Sequence, residues 1–236
     1  MAITTTAASR PAGPARGRRT TIALKMAMAV TGIVFVGFVL VHMYGNLMAF
    51  GGRLTYDTYA HHIRTFLQPM LPYGAFLLVL DVVLIVAVII HIFAAVKLTH
   101  RAIHARPIRY AVKKNVASTL SSRWMRWGGA ALLLFIVFHI LEFTTGSITP
   151  GGGSPDPFVA LTNAFQLWWV FVIYVLALIA LGMHLRHGVW SACQTLGWTS
   201  SALSRRVAKT AGIVLALLIS GGFVITPFFI LVGVIK

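Results

Sequence analysis

Apolar residues fill five long blocks of this chain, at about 22–49, 73–98, 127–147, 166–190 and 209–234, and most polar residues fall between them. Each block reaches the roughly 20 residues that an α-helix needs to cross the hydrocarbon core of a bilayer. In lipid the backbone must satisfy its own hydrogen bonds, so such blocks are read as helices. The pattern predicts an all-α integral membrane bundle of five transmembrane helices over residues 22–236, preceded by a basic tail over residues 1–21.

The connectors are short. After the first block, TYDTYAHHIRTF (55–66) repeats apolar and aromatic residues at helical spacing, which predicts a helix lying along the membrane surface. Pro69 and Pro72 then turn the chain into the second span. Between the third and fourth spans, PGGGSPDP (150–157) predicts a turn with no chemistry of its own. No solenoid-type repeat is visible.

Composition agrees with a membrane class: 58% of residues are hydrophobic, 10% are charged, and mean hydropathy is +0.85. The net charge of +16 would suggest nucleic acid in a soluble chain, but no hydrophilic domain is available to hold it. The basic residues gather instead in the tail, in 97–126 (Lys97, Arg101, Arg106, Arg109, Lys113, Lys114, Arg123, Arg126) and in 186–209. The alternate loops carry only Arg53 and Arg64. By the positive-inside rule the N-terminus is cytoplasmic and the C-terminus outside. Tyr56, Tyr59 and Tyr73 on one side, and Trp124, Trp127, Trp190 and Trp198 on the other, suit interfacial belts. The start of the chain, small, polar and basic before a full-length span, does not read as a cleaved signal. The single cysteine, Cys193, excludes an intrachain disulfide and any Cys-only metal site built from this chain alone.

Four histidines lie inside spans, one on each of the first four: His42, His91, His139 and His184. Helix direction alternates, so their depths compare at about 1.5 Å per residue. His42 and His139 fall on the outer side of the midplane; His91 and His184 fall roughly 9 to 10 Å towards the cytoplasm. Two pairs of neutral imidazoles on different helices are what bis-histidine ligation of two b haems requires. Taken singly, each could equally be a polar residue hydrogen-bonding between helices. Gly45 and Gly188 share a face with His42 and His184, leaving space for a porphyrin edge or for close helix packing. Lys97, Arg186 and His187 stand near the inner level, where a cation can serve a haem propionate or snorkel to headgroups.

Two acids also lie within spans, Glu142 and Asp81. A carboxylate in the membrane is costly and marks a candidate functional site. Both fall in the outer half, where a quinol oxidised beside a haem must release two protons. The alternative is an acid paired with a tyrosine, amide or arginine for packing.

FVLVHMYGNL (38–47), YDTYAHHIRTF (56–66), HIFAAVKLT (91–99) and above all HLRHGVWSACQTLG (184–197) resemble the single-chain, five-helix cytochrome b subunit of succinate dehydrogenases and fumarate reductases. The resemblance covers residues 22–234 and is strongest in the first and fourth spans. It implies a multi-pass anchor in the bacterial inner (cytoplasmic) membrane, docking an iron–sulfur subunit and a flavoprotein subunit of respiratory complex II. Such a chain is not an enzyme alone; it passes electrons between those subunits and a quinone, expected to be menaquinone. The resemblance places two haems b on His42, His91, His139 and His184, with a quinone site near Glu142 and Asp81. It leaves the direction of the reaction and a higher oligomer of the complex open.

Cys193 departs from the pattern, standing where a large apolar residue is expected; it is either a neutral substitution in a tightly packed corner or, with histidines, part of a non-haem iron or iron–sulfur centre. Other readings are a different membrane cytochrome b, as in formate dehydrogenases or nitrate reductases, or a proton-coupled transporter with a histidine–acid relay. A purely structural anchor is the last. The transporter calls for inverted repeats with broken helices, which the chain lacks.

Overall fold

A computed structural model describes residues 16–105 and 120–236, with side chains described from residue 20 onward. The segment 106–119, with Arg106, Arg109, Lys113 and Lys114, and most of the tail lie outside the described residues. Among the described residues there are helices and no strands, and five helices are long and apolar enough to cross a membrane.

The first span is α1 (Arg16–Leu47), which runs through a 3-10 turn, Met48–Gly51, into α2 (Gly52–Thr65). Gly52 sits at φ 78°, a left-handed conformation natural to glycine, and there the chain leaves the axis of α1. The helix expected over TYDTYAHHIRTF is therefore present as α2. The second span is α3 (Ala75–His104) and the third α4 (Leu120–His139), which begins a full two turns before its apolar block and passes into a π-turn, Ile140–Thr144. The fourth span is α6 (Trp168–Thr195) and the fifth α7 (Ala202–Leu231), opened by a capping box between Ser201 and Ser204.

The turn expected over 150–157 is present, and it is followed by an unexpected helix, α5 (Pro157–Phe165). Asp156 caps it, accepting from the Val159 amide at 3.0 Å, and Pro157 occupies the first helical position. Its Phe158, Leu161 and Phe165 are buried, at i, i+3 and i+7, against Tyr174, Val170 and Ile230. Arg53 of α2 donates through Nε to Asp156 at 2.7 Å and also pairs with it through its terminal nitrogen. Asp57 of the same helix accepts from the Phe158 amide at 3.2 Å. Two carboxylates thus serve the α5 N-terminus, one from each side of Arg53, and tie α5 to α2.

In the membrane-spanning part, α1 and α6 pack on each other and both pack on α7. The α6–α7 seam is close because Gly212 presents no side chain: a Cβ there would come 2.8 Å from the Arg186 carbonyl oxygen. The remaining two helices are peripheral, α3 against α1 and α4 against α6. Neither α3 with α6 nor α1 with α4 forms a packed interface.

The Asp156 carboxyl is held below the usual carboxylate range, first by the Val159 amide and then by Arg53. A lowered value in the folded state means that the clamp's stabilisation is complete above the ordinary range, about pH 4, and is lost as pH falls through the depressed value. Protection of the Phe158 to Leu161 amides, corrected for intrinsic exchange, should therefore fall in acid, and Asp156→Asn should flatten that dependence.

Candidate functional site

The four intramembrane histidines meet in two pairs. His42 of α1 and His139 of α4 have ring centroids 5.7 Å apart, and His91 of α3 and His184 of α6 have theirs 6.2 Å apart. These are the partners that the depth count expects. On α1, Thr31 and Gly32 mark the level of His91, since Thr31 bonds its ring and a Cβ on Gly32 would lie 3.7 Å from it. His42 follows ten to eleven residues later, roughly 16 Å along the axis. On α4, Gly129 stands against His184 in the same way and His139 follows ten residues later, roughly 15 Å on. Two helices thus give the same spacing between the levels.

The pair of His42 and His139, outer by the orientation expected from loop charge, is sheathed in aromatic rings. His42 stacks on Phe38 at 5.4 Å and meets Phe223 at 5.5 Å, while His139 lies against Phe135 and Phe143. His139 Nδ1 is 3.0 Å from the hydroxyl of Tyr174, which donates to Glu142 Oε2 at 2.5 Å. With Glu142 ionised, the phenol gives its one proton to the carboxylate, so towards His139 it accepts. Nδ1 of His139 therefore carries the hydrogen and Nε2 keeps its lone pair.

The inner pair repeats that logic with other groups. The Thr31 hydroxyl lies 2.9 Å from His91 Nδ1 and donates to the Ala27 carbonyl at 2.8 Å. Its proton is committed to the backbone, so His91 donates from Nδ1 and again leaves Nε2 free. Gly128, Ala180 and Met183 line a small cleft reaching His184.

Each pair has the donor set of an axially ligated haem. A metal about 2 Å from one nitrogen of each imidazole would set the ring centroids roughly 6 Å apart, as in both pairs. Among the described residues no three or more His, Cys, Asp or Glu side chains gather around a common metal position. Among the described residues the helices bearing each pair do not form one of the main packed interfaces of the bundle. Glu142 Oε1 and His184 Nδ1 are two of only three buried side-chain polar atoms without a partner among the described residues. Orphaned polar atoms thus concentrate at the two levels.

The other candidates are placed less centrally. Glu142 is buried on the outer pair, whereas Asp81 is exposed on α3 and the fold does not bring it to Glu142. Lys97 is exposed, with its ammonium 5.6 Å from the Phe93 ring centroid; Arg186 is exposed and His187 half-buried. Of the two readings for Gly45, close packing is the one seen: it receives the Tyr59 ring of α2, which a Cβ would approach to 2.8 Å. Gly188 does face open space. Cys193 is a half-buried free thiol nine residues beyond His184, roughly 13 Å along α6, so one metal ion cannot reach both. Tyr174 and Thr31 are the participants that sequence reasoning missed. The signal for Tyr174 was its hydroxyl, the lone polar side chain between Trp169 and His184.

Comparison with protein-family models, with curated proteins and with solved structures finds no match for this chain.

Thr31→Val removes the acceptor for His91 Nδ1 while keeping the side chain's shape. A loss of about 1 kcal/mol is expected, read from denaturant unfolding in mixed micelles. Unchanged stability would show that the imidazole has another partner.

Proposed function

We propose that this chain is the membrane-anchor and electron-transfer subunit of a succinate:quinone oxidoreductase, respiratory complex II, with two haems b held by His42 with His139 and by His91 with His184. The observation that supports it most is the pair of opposed imidazole couples, on four different helices and at two levels. Bound haem would supply reversible one-electron transfer at each level. The chain's own part is to hold neutral imidazoles at fixed separation, exclude water with aromatic and aliphatic side chains, and offer Glu142 as a proton acceptor where a quinol, expected to be menaquinol, is oxidised or its quinone reduced.

In this proposal the N-terminus, the end of α3 and the link between α6 and α7 lie in the cytoplasm. Arg101, Arg205, Arg206 and Lys209 are exposed there and form a basic surface for an iron–sulfur subunit, which in turn carries the flavoprotein. Arg186, His187 and Lys97 lie on the same side as the inner pair, where propionates need cations.

The expected spectrum of the purified complex, reduced minus oxidised, is that of b haems, with two per anchor chain by pyridine haemochrome. His42→Ala or His139→Ala should remove one haem, and His91→Ala or His184→Ala the other. A wild-type complex without haem sinks the ligation. Reversing Arg205, Arg206 and Lys209 together should release the soluble subunits while the anchor still inserts; an intact complex after reversal counts against the docking surface.

A further inference from the structure

The geometry points to Tyr174 as the positioning residue of the outer pair: its hydroxyl fixes His139 with Nε2 free and couples that imidazole to the Glu142 carboxylate. This rests on the proposed haem ligation and deepens it. The phenol is 8% exposed, and its ring is wedged edge-on between Phe165 at 4.7 Å and Phe135 at 4.9 Å. Its hydroxyl therefore has little freedom to leave the gap between Nδ1 of His139 and Oε2 of Glu142, at 3.0 and 2.5 Å.

Local backbone geometry helps to make the contact. Past His139 the helix widens into the π-turn, with Thr145 N–H bonded to the Ile140 carbonyl at 2.9 Å. Single π-turns of this kind re-aim side chains and are common at functional sites. The Glu142 carboxyl within it is buried, and Tyr174 is the partner of one oxygen while the other has none. The carboxyl's hydrogen-bonding capacity is thus directed at the phenol that holds His139.

The two levels differ in what stands behind one imidazole. At the inner level the acceptor for Nδ1–H is an alcohol backed by a backbone carbonyl, a neutral chain. At the outer level it is a phenol backed by a carboxyl. An Nδ1–H that donates into such a chain makes the opposite nitrogen a stronger donor to a metal, which favours the oxidised ion over the reduced one. Tyr174 touches no substrate and acts through His139.

The test is a redox titration of the intact complex in native membranes, with low-temperature EPR of the oxidised haems and a haem count for every variant. Tyr174→Phe, which removes one oxygen and keeps the ring, should retain two haems, move the midpoint of one upward and alter its EPR signal. Glu142→Gln should move the same haem upward while retaining the phenol. Thr31→Val should alter the other haem and leave this one unchanged.

If Tyr174→Phe retains two haems with both midpoints and both signals unchanged, the inference is overturned and the ligation stands. If that variant loses a haem, Glu142→Gln decides: a shift confined to the haem that Tyr174→Phe lost supports the coupling, and no shift overturns it. A wild-type complex without haem removes the underlying proposal instead.

Discussion

A ring nitrogen buried among hydrocarbon has no water to turn to, so it must be met by a side chain, a carbonyl or a ligand. Four such rings lie inside this bundle; two are met by side chains, and His184 Nδ1 has no partner among the described residues. His139 is met by Tyr174, which is met by Glu142; His91 is met by Thr31, which is met by the Ala27 carbonyl. In each case the chain of bonds consumes Nδ1 and leaves Nε2 unassigned. Aromatic packing around Tyr174 and the widened turn after His139 enclose the same carboxyl.

The five spans were legible because an apolar block of that length has few alternatives, and the pairing of histidines followed from a fixed rise and alternating direction. Azimuth was not legible. Depth puts Asp81 and Glu142 in the same half of the membrane, but α3 rests on α1 and leaves Asp81 exposed, while Glu142 turns inward. Gly45 shares a face with His42 in the sequence, yet α2 folds back and lays Tyr59 on it. The glycines that do face imidazoles, Gly32 and Gly129, stand on helices other than those of the rings they face, a relation that spacing along one helix does not contain.

Short elements were hidden for a different reason. The nine residues of α5 are too few to show a period against the Gly- and Pro-rich run before them, and their marker was local: Asp156 followed by Pro157. Tyr174 showed nothing in sequence but a lone hydroxyl in an apolar span. Its partners lie 32 and 35 residues away, so only the packed bundle reveals what the hydroxyl does.

The peripheral placement of α3 and α4 bears on how such a bundle is assembled. Each histidine pair joins one ring from the central couple, α1 and α6, to one from an outlying helix, and it does so across helices that otherwise share no interface. A cofactor bridging a pair would therefore act as a rivet, fastening α3 to α6 and α4 to α1 where the protein alone supplies no seam. Within the protein itself α3 is held chiefly by α1 and more lightly by α2.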